Sequence, residues 1–268
     1  MDESLAGKVA IVTGGGRGLG RAMALGLARA GAGVVAAAAR ERAEIERVAA
    51  ESEGRVAAVV ADVTREEDCR RLVDTALARF GRLDIVVNNA GRGMKYVSED
   101  FMTEPTRFWE TAPEAWRLVI DTNVNGPFLL ARAAAPHLIA QRWGRIINVS
   151  MGWETMRRRG FSPYGPSKAA LESETVIWAQ DLAGTGVTVN ALLPGGATLT
   201  GMIPASFPDH LRADLLAPEI MVPPLLWLAS PRSDGVTGRR FVAQRWRTDI
   251  PDRDAAAAAA EDAGWPGR

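Results

Sequence analysis

The sequence predicts an α/β protein, a single domain on a doubly wound parallel sheet of about seven strands with helices on both faces. Three observations predict it. Short β-rich runs alternate with helix-length segments along nearly the whole chain. Several of those runs lack polar alternation, as strands covered on both faces do. A glycine-rich turn joins the first run to the first helical segment.

Taken in order, Val9–Thr13, Leu19–Ala30 and Gly33–Ala39 read as strand, helix and strand, with Gly31 as the helix C-cap. Arg42–Glu53 is a helical pattern, Arg55–Ala61 a strand, Glu66–Phe80 a helix and Leu83–Asn88 a strand. The rhythm resumes with a long helical stretch, Pro113–Gln141, and a strand, Arg145–Ser150. Helices Tyr164–Gly184 and Pro218–Ala229 then alternate with strands Val187–Leu192 and Arg240–Ala243. Two segments break it. Arg92–Thr111 holds charged and aromatic residues without a period and is expected to loop over a sheet edge. Thr198–Leu211, with Pro204 and Pro208, reads as a lid or short broken helix. A catalytic domain is expected over residues 1–249. The low-complexity tail, 250–268, is read as a frayed terminus or a short appended helix.

Composition narrows the function classes. A chain of 268 residues can bury a large core without staples. Thirty-two basic residues balance thirty-two acidic ones, which argues against nucleic-acid binding. The single cysteine, Cys69, excludes an intramolecular disulfide and a cysteine-based zinc cluster. Two histidines far apart, His137 and His210, argue against a histidine-rich metal site, so no metal is expected. No signal-like start or membrane-length apolar run is present, and a cytoplasmic, membrane-free protein is expected.

The turn after the first strand reads Thr13-Gly14-Gly15-Gly16-Arg17-Gly18-Leu19-Gly20. A backbone that turns sharply, approaches a pyrophosphate and packs a helix against a sheet needs glycine, and the helix N-terminus supplies N–H donors. The spacing differs from GxGxxG and resembles the TGxxxGxG of the short-chain dehydrogenase/reductase family, a Rossmann-type fold. The resemblance extends to Asp62-Val63, Asn88-Asn89-Ala90-Gly91, Asn123 before Gly126, Tyr164-Gly-Pro-Ser-Lys168 and Pro194-Gly195, in family order over residues 8–243.

The resemblance implies an NAD(P)-dependent oxidoreductase that interconverts a carbonyl and a secondary alcohol. It implies that Gly14, Gly16, Arg17, Gly18, Leu19 and Gly20 cradle the cofactor, with Asp62 and Val63 at the adenine. Asn89, Ala90 and Gly91 would follow the ribose, Pro194 and Gly195 would flank the nicotinamide, and Thr200 would meet its carboxamide or a phosphate. The second strand ends in alanines and then Arg40, with no acid to repel a 2′-phosphate; Arg40 and Arg17 therefore favour NADP, with NAD possible.

Tyr164 and Lys168 stand one helical turn apart and share a helix face. A phenol titrates near 10, and a neighbouring ammonium is expected to lower that value and make it a workable acid and base. The resemblance gives Lys168 the nicotinamide ribose as well, and Asn123 a water chain to solvent. The family's usual serine spacing lands on Met151; Ser150, adjacent, is the candidate for the hydroxyl. Gly152–Phe161 carries Arg157, Arg158 and Arg159, read either as a solvated turn paired with Glu154 or as recruiters of an anionic substrate. Trp109, Trp116, Trp153, Phe101 and Phe161 suggest an apolar or ring-bearing small molecule. Self-association to a tetramer or dimer is expected through Pro113–Gln141 and Tyr164–Gly184, with Trp178 as anchor or as core. The rival readings are a non-redox enzyme on this fold (a dehydratase or epimerase), which Met151 favours, and a non-catalytic nucleotide-binding sensor or scaffold, against which Tyr164, Lys168 and Asn123 count.

Overall fold

The computed structural model describes residues 4–264 apart from 205 and 208. Pro208 and positions 265–268 of the expected tail lie outside the described residues. Strand β1 (Val9–Thr13) leads into helix α1 (Gly18–Arg29), followed by β2 (Gly33–Ala38), α2 (Arg42–Ala50), β3 (Val56–Val60), α3 (Glu66–Phe80) and β4 (Ile85–Asn88). Then come α4 (Pro113–Ile120), a π-turn (Asp121–Asn125), α5 (Gly126–Ala140), β5 (Gly144–Val149), α6 (Trp153–Met156), α7 (Tyr164–Asp181) and β6 (Val187–Leu193). The chain continues through a 3-10 turn (Pro218–Met221) into α8 (Val222–Leu228), β7 (Arg239–Val242), α9 (Asp252–Ala259) and β8 (Ala260–Asp262).

The sheet runs β3-β2-β1-β4-β5-β6-β7-β8, parallel up to β7 and antiparallel at β8. Strand order reverses between β1 and β4, and this reversal opens a crevice at the carboxyl ends of the strands. Period-two alternation sends Val12 into one core, with Met23, Leu27 and Phe241, and Ile11 into the other, with Leu72 and Leu138. Both faces are covered, which is why the strands read as unbroken apolar runs.

Three elements differ from expectation. The helix expected over Pro113–Gln141 is divided by the π-turn at Asp121–Asn125. Pro218–Ala229 begins as a 3-10 turn, because Pro223 and Pro224 lack the N–H groups that a continuous helix would need. The alanine-rich segment is neither frayed nor only a helix. Ala256 and Ala259 pack into the core through α9, and β8 adds an eighth strand. Its register sets Arg239 opposite Asp262 and Arg240 opposite Glu261, so opposite charges face each other across the strand pair.

Candidate active site

A cavity of about 720 Å³ opens at the carboxyl ends of the strands and runs from the glycine turn to Tyr164. The turn is built by close approach. Gly14 adopts φ +62°, and a Cβ there would stand 3.1 Å from Ala90 Cα. A Cβ on Gly20 would lie 2.0 Å from the Gly14 carbonyl oxygen, so no larger residue fits. Thr13 Oγ1 accepts from the Asn89 and Ala90 amides, each at 3.0 Å, while Asn89 Nδ2 donates to Thr13 O at 2.8 Å. These bonds lock the ends of β1 and β4 together at the reversal point and leave the turn's backbone facing the cavity.

Of the residues predicted to hold a cofactor, Gly14, Gly16, Arg17, Gly18, Leu19, Gly20, Arg40, Asp62 and Val63 line this cavity, as do Asn89, Ala90, Gly91, Pro194, Gly195 and Thr200. Asp62 is fixed by accepting from the Thr64 amide at 3.0 Å. Thr200 lies over the turn, 3.1 Å from where a Gly18 Cβ would be. Arg17 pairs with Glu44 at 3.4 Å, whereas Arg40 is exposed and in no ion pair among the described residues. A glycine cradle in which a Cβ at Gly20 has no room, joined to a long cavity with a cationic corner, fits a dinucleotide.

At the other end α7 presents Tyr164 to the cavity and buries Lys168, whose Nζ donates to Val149 O at 2.7 Å. Burial lowers Lys168 from 10.5 to about 8, opposed by the Glu172 carboxylate. Burial pushes Tyr164 up to about 12, the reverse of the expected depression, because loss of water penalises the phenolate and no charge in this arrangement offsets that. Asn123 stands behind the wall. The π-turn buries it completely, its Oδ1 accepts from the Arg92 amide at 2.8 Å, and its Nδ2 donates to Ser167 Oγ at 2.9 Å. Ser167 in turn donates to Tyr164 O at 2.7 Å, so Asn123 ties the first turn of α7 to the loop after β4.

Ser150 borders the cavity, and its buried hydroxyl has no well-formed hydrogen bond. Met151 packs with Met94, Met156 and Phe161 around Tyr164. Behind Ser150 is a feature the sequence reading missed. Glu172 and Arg240, 2% and 1% exposed, face each other at 3.3 Å. Arg240 also donates to Met151 O at 2.8 Å and pairs with Glu261 at 3.2 Å, and its guanidinium sits 4.0 Å from the Trp153 ring centroid. Glu172 accepts from the Gly264 amide at 3.2 Å. Burial raises the Glu172 pKa while Arg240 and the Ser150 hydroxyl hold it down. The signal was available: Glu172 follows Lys168 by one helical turn, hence on the same face of α7.

Phe101 and Phe161 line the cavity and meet edge-on at 5.9 Å between centroids. Trp109 and Trp116 face solvent instead, 66% and 41% exposed, and Trp153 packs on Arg240. Glu154 makes no ion pair among the described residues, so the pairing expected across the arginine loop does not form. Trp178 packs against the core, and its neighbour Ile177 is the exposed side chain. Among the described residues no group of histidine, cysteine or carboxylate side chains is arranged for a metal, and no helix is long and apolar enough to cross a membrane.

The family model for short chain dehydrogenases matches residues 8–210. The chain belongs to the short-chain dehydrogenase/reductase family. Glucose 1-dehydrogenase 2 of Bacillus subtilis is 32% identical over 266 residues, covering 94% of this chain and 99% of that one. The structure of a 3-ketoacyl-(acyl-carrier-protein) reductase from Brucella melitensis, complexed with NADH, superposes with a TM-score of 0.77 at 32% identity, over 87% of this chain and 95% of that one. A protein from Beutenbergia cavernae, described as an NAD(P)-dependent gluconate 5-dehydrogenase and holding NADP, gives 0.77 at 32% identity over 91% and 97%. This member of the short-chain dehydrogenase/reductase family is therefore an NAD(P)-dependent oxidoreductase acting between a carbonyl and an alcohol, and its cofactor is a nicotinamide dinucleotide.

Proposed function

We propose that this chain uses NADP to interconvert a carbonyl and a secondary alcohol on a small molecule, with Tyr164 as its acid–base group. The observation that carries the reading is the meeting, in one cavity, of the glycine-turn cradle and the Tyr164–Lys168 face of α7. When bound, the cofactor supplies or accepts a hydride at nicotinamide C4. Gly14, Gly16, Gly18, Leu19 and Gly20 hold its pyrophosphate, Asp62 and Val63 its adenine, and Asn89 to Gly91 its ribose. Pro194 and Gly195 would flank the nicotinamide, and Thr200, which lies over the glycine turn, would meet its carboxamide or a phosphate.

In the reducing direction Tyr164 gives its proton to the substrate oxygen, and in the oxidising direction it takes the proton back. A phenol raised by burial holds that proton firmly until the substrate oxygen develops charge. Lys168, fixed on Val149 O, would hold the ribose. Ser150 supplies the hydroxyl closest to hand for the substrate oxygen. Asn123 supports the relay of the proton to solvent through the π-turn it anchors.

NADP rather than NAD is supported by β2 ending without a carboxylate and by the guanidiniums of Arg17 and Arg40 on the same wall. Self-association, to a tetramer or dimer, is supported by Trp116, Phe128, Ile139 and Ile177, exposed on α4, α5 and α7. The test is oxidation of NADPH and of NADH, followed at the reduced-cofactor absorbance, across a panel of ketones. Turnover faster with NADPH is expected. No oxidation of either cofactor across the panel would overturn the redox reading, and a preference for NADH would overturn the NADP assignment.

A further inference from the structure

The half of the cavity around Tyr164 is apolar and carries positive charge with nothing to balance it. The carboxylates that line the cavity are Glu41, Glu44, Asp62 and Asp121; none comes from the described residues of 92–102, 149–161 or 194–207, the segments that follow β4, β5 and β6. From those same segments come two guanidiniums, Arg92 and Arg158. Neither takes part in an ion pair among the described residues. Each is braced on an aromatic ring instead. Arg92 sits 4.6 Å from the Tyr96 centroid and donates to its hydroxyl, and Arg158 sits 5.3 Å from the Phe161 centroid. The third cation of this region, Lys95, is spent on Gly201 O at 3.0 Å.

Two guanidiniums, Arg92 half-buried and Arg158 exposed, thus stand beside aromatic rings on the cavity lining with no carboxylate partner among the described residues. Glu154, on the same loop, does not pair with Arg158, which leaves that guanidinium available to an anion. Bracing on rings also restricts the guanidinium planes, so less freedom is lost when an anion arrives. A planar carboxylate meets a guanidinium fork with two parallel hydrogen bonds, and with Arg158 exposed and Arg92 half-buried it is this fork geometry that carries the recognition.

We infer that the substrate of the Tyr164 site is a carboxylate-bearing ketone or alcohol on an apolar, ring-sized skeleton, and that Arg158 and Arg92 determine this specificity. The inference rests on the proposed redox reading for the reacting carbon, but the anion site itself is read from Arg92, Arg158 and the missing carboxylates. Arg157 and Arg159, the other cations of the loop, do not line the cavity and take no part.

The experiment uses two matched pairs of probes: 4-acetylbenzoate against 4-acetylbenzamide, and 5-oxohexanoate against 5-oxohexanamide. Binding is measured by calorimetry with the cofactor held saturating, and turnover by cofactor absorbance. The carboxylates are expected to bind about 10- to 100-fold tighter than the amides. Arg158→Gln and Arg92→Gln should each cut carboxylate affinity at least about tenfold and leave amide affinity unchanged. Arg158→Lys, keeping charge without the fork, should fall between, and Arg157→Gln should behave as the parent. Equal affinity within each pair, no binding of either carboxylate at millimolar concentration, or an equal loss in Arg157→Gln, which would reduce the effect to a diffuse field, each overturns the inference. Carboxylate-selective binding without any cofactor oxidation would instead sustain the anion site and overturn the redox reading.

Discussion

Replacing Arg240 with methionine isolates the charge pair that backs the active site. In the parent, Glu172 is 2% exposed and its charge is balanced by Arg240 at 3.3 Å. Its remaining partners are the Gly264 amide at 3.2 Å and the nearby Ser150 hydroxyl. Removing the cation strands a buried carboxylate, which costs about 3–5 kcal/mol. For a chain of this size that is a fall in Tm of roughly 6–20 °C. The sign of the pH dependence follows from the raised Glu172 pKa. Without Arg240 it rises further, so the folded variant holds a proton that the unfolded chain releases above about pH 4.3. The defect should be small at pH 5 and grow toward pH 8. The double variant Glu172→Leu/Arg240→Met, with no buried charge left, should recover most of the loss, since Glu261 keeps Arg245 as partner. Thermal melts by circular dichroism at pH 5 and pH 8 measure all three. A loss below about 1 kcal/mol, a defect independent of pH, or a double variant no better than the single would refute the reasoning.

Tyr164→Phe should abolish turnover in assays with NADPH while cofactor affinity, read by fluorescence quenching, stays within about twofold, because only the proton-transfer group is lost. Lys168 is lowered from 10.5 to about 8 by burial, so the parent should gain up to about 3 kcal/mol from it as pH rises between those values; urea midpoints for Lys168→Met should lack that rise. Arg40→Asp should move the NADP/NAD preference toward NAD by about tenfold or more, measured as a ratio of kcat/KM. Light scattering after size exclusion at micromolar protein should give a mass well above 28.7 kDa, and a clean monomer would count against self-association.

The sheet was legible because burial on both faces writes itself into composition. Residues 9–12, 34–37 and 85–87 are apolar without interruption, and β1 and α3 fall where expected, residue for residue. The alanine-rich end was not legible. Its six consecutive alanines carry no period, and nothing local says that Ala256 and Ala259 meet the core or that Glu261 and Asp262 face two arginines on β7. Pairing between strands distant in sequence is decided by tertiary contact, not by propensity.

The site divides along the same physical line. The glycine turn, Tyr164 and Lys168, picked out by backbone geometry and a short helical spacing, line one cavity, because both constraints are local. Glu172 and Arg240 did not stand out in the sequence. Sixty-seven positions lie between them, and each alone reads as a solvated helix or edge residue. Only the fold, by setting β7 next to β6 so that Arg240 reaches Glu172 on α7 and the Met151 carbonyl after β5, turns two ordinary charges into a desolvated pair. The expected depression of the Tyr164 pKa failed for a related reason. Spacing along a helix reports proximity, whereas the pKa is set by how much water the assembled walls exclude. Exclusion of water is therefore the quantity on which both misses turn: it makes the Glu172–Arg240 pair matter for stability, and it leaves Tyr164 a reluctant acid until a substrate oxygen arrives to share its proton.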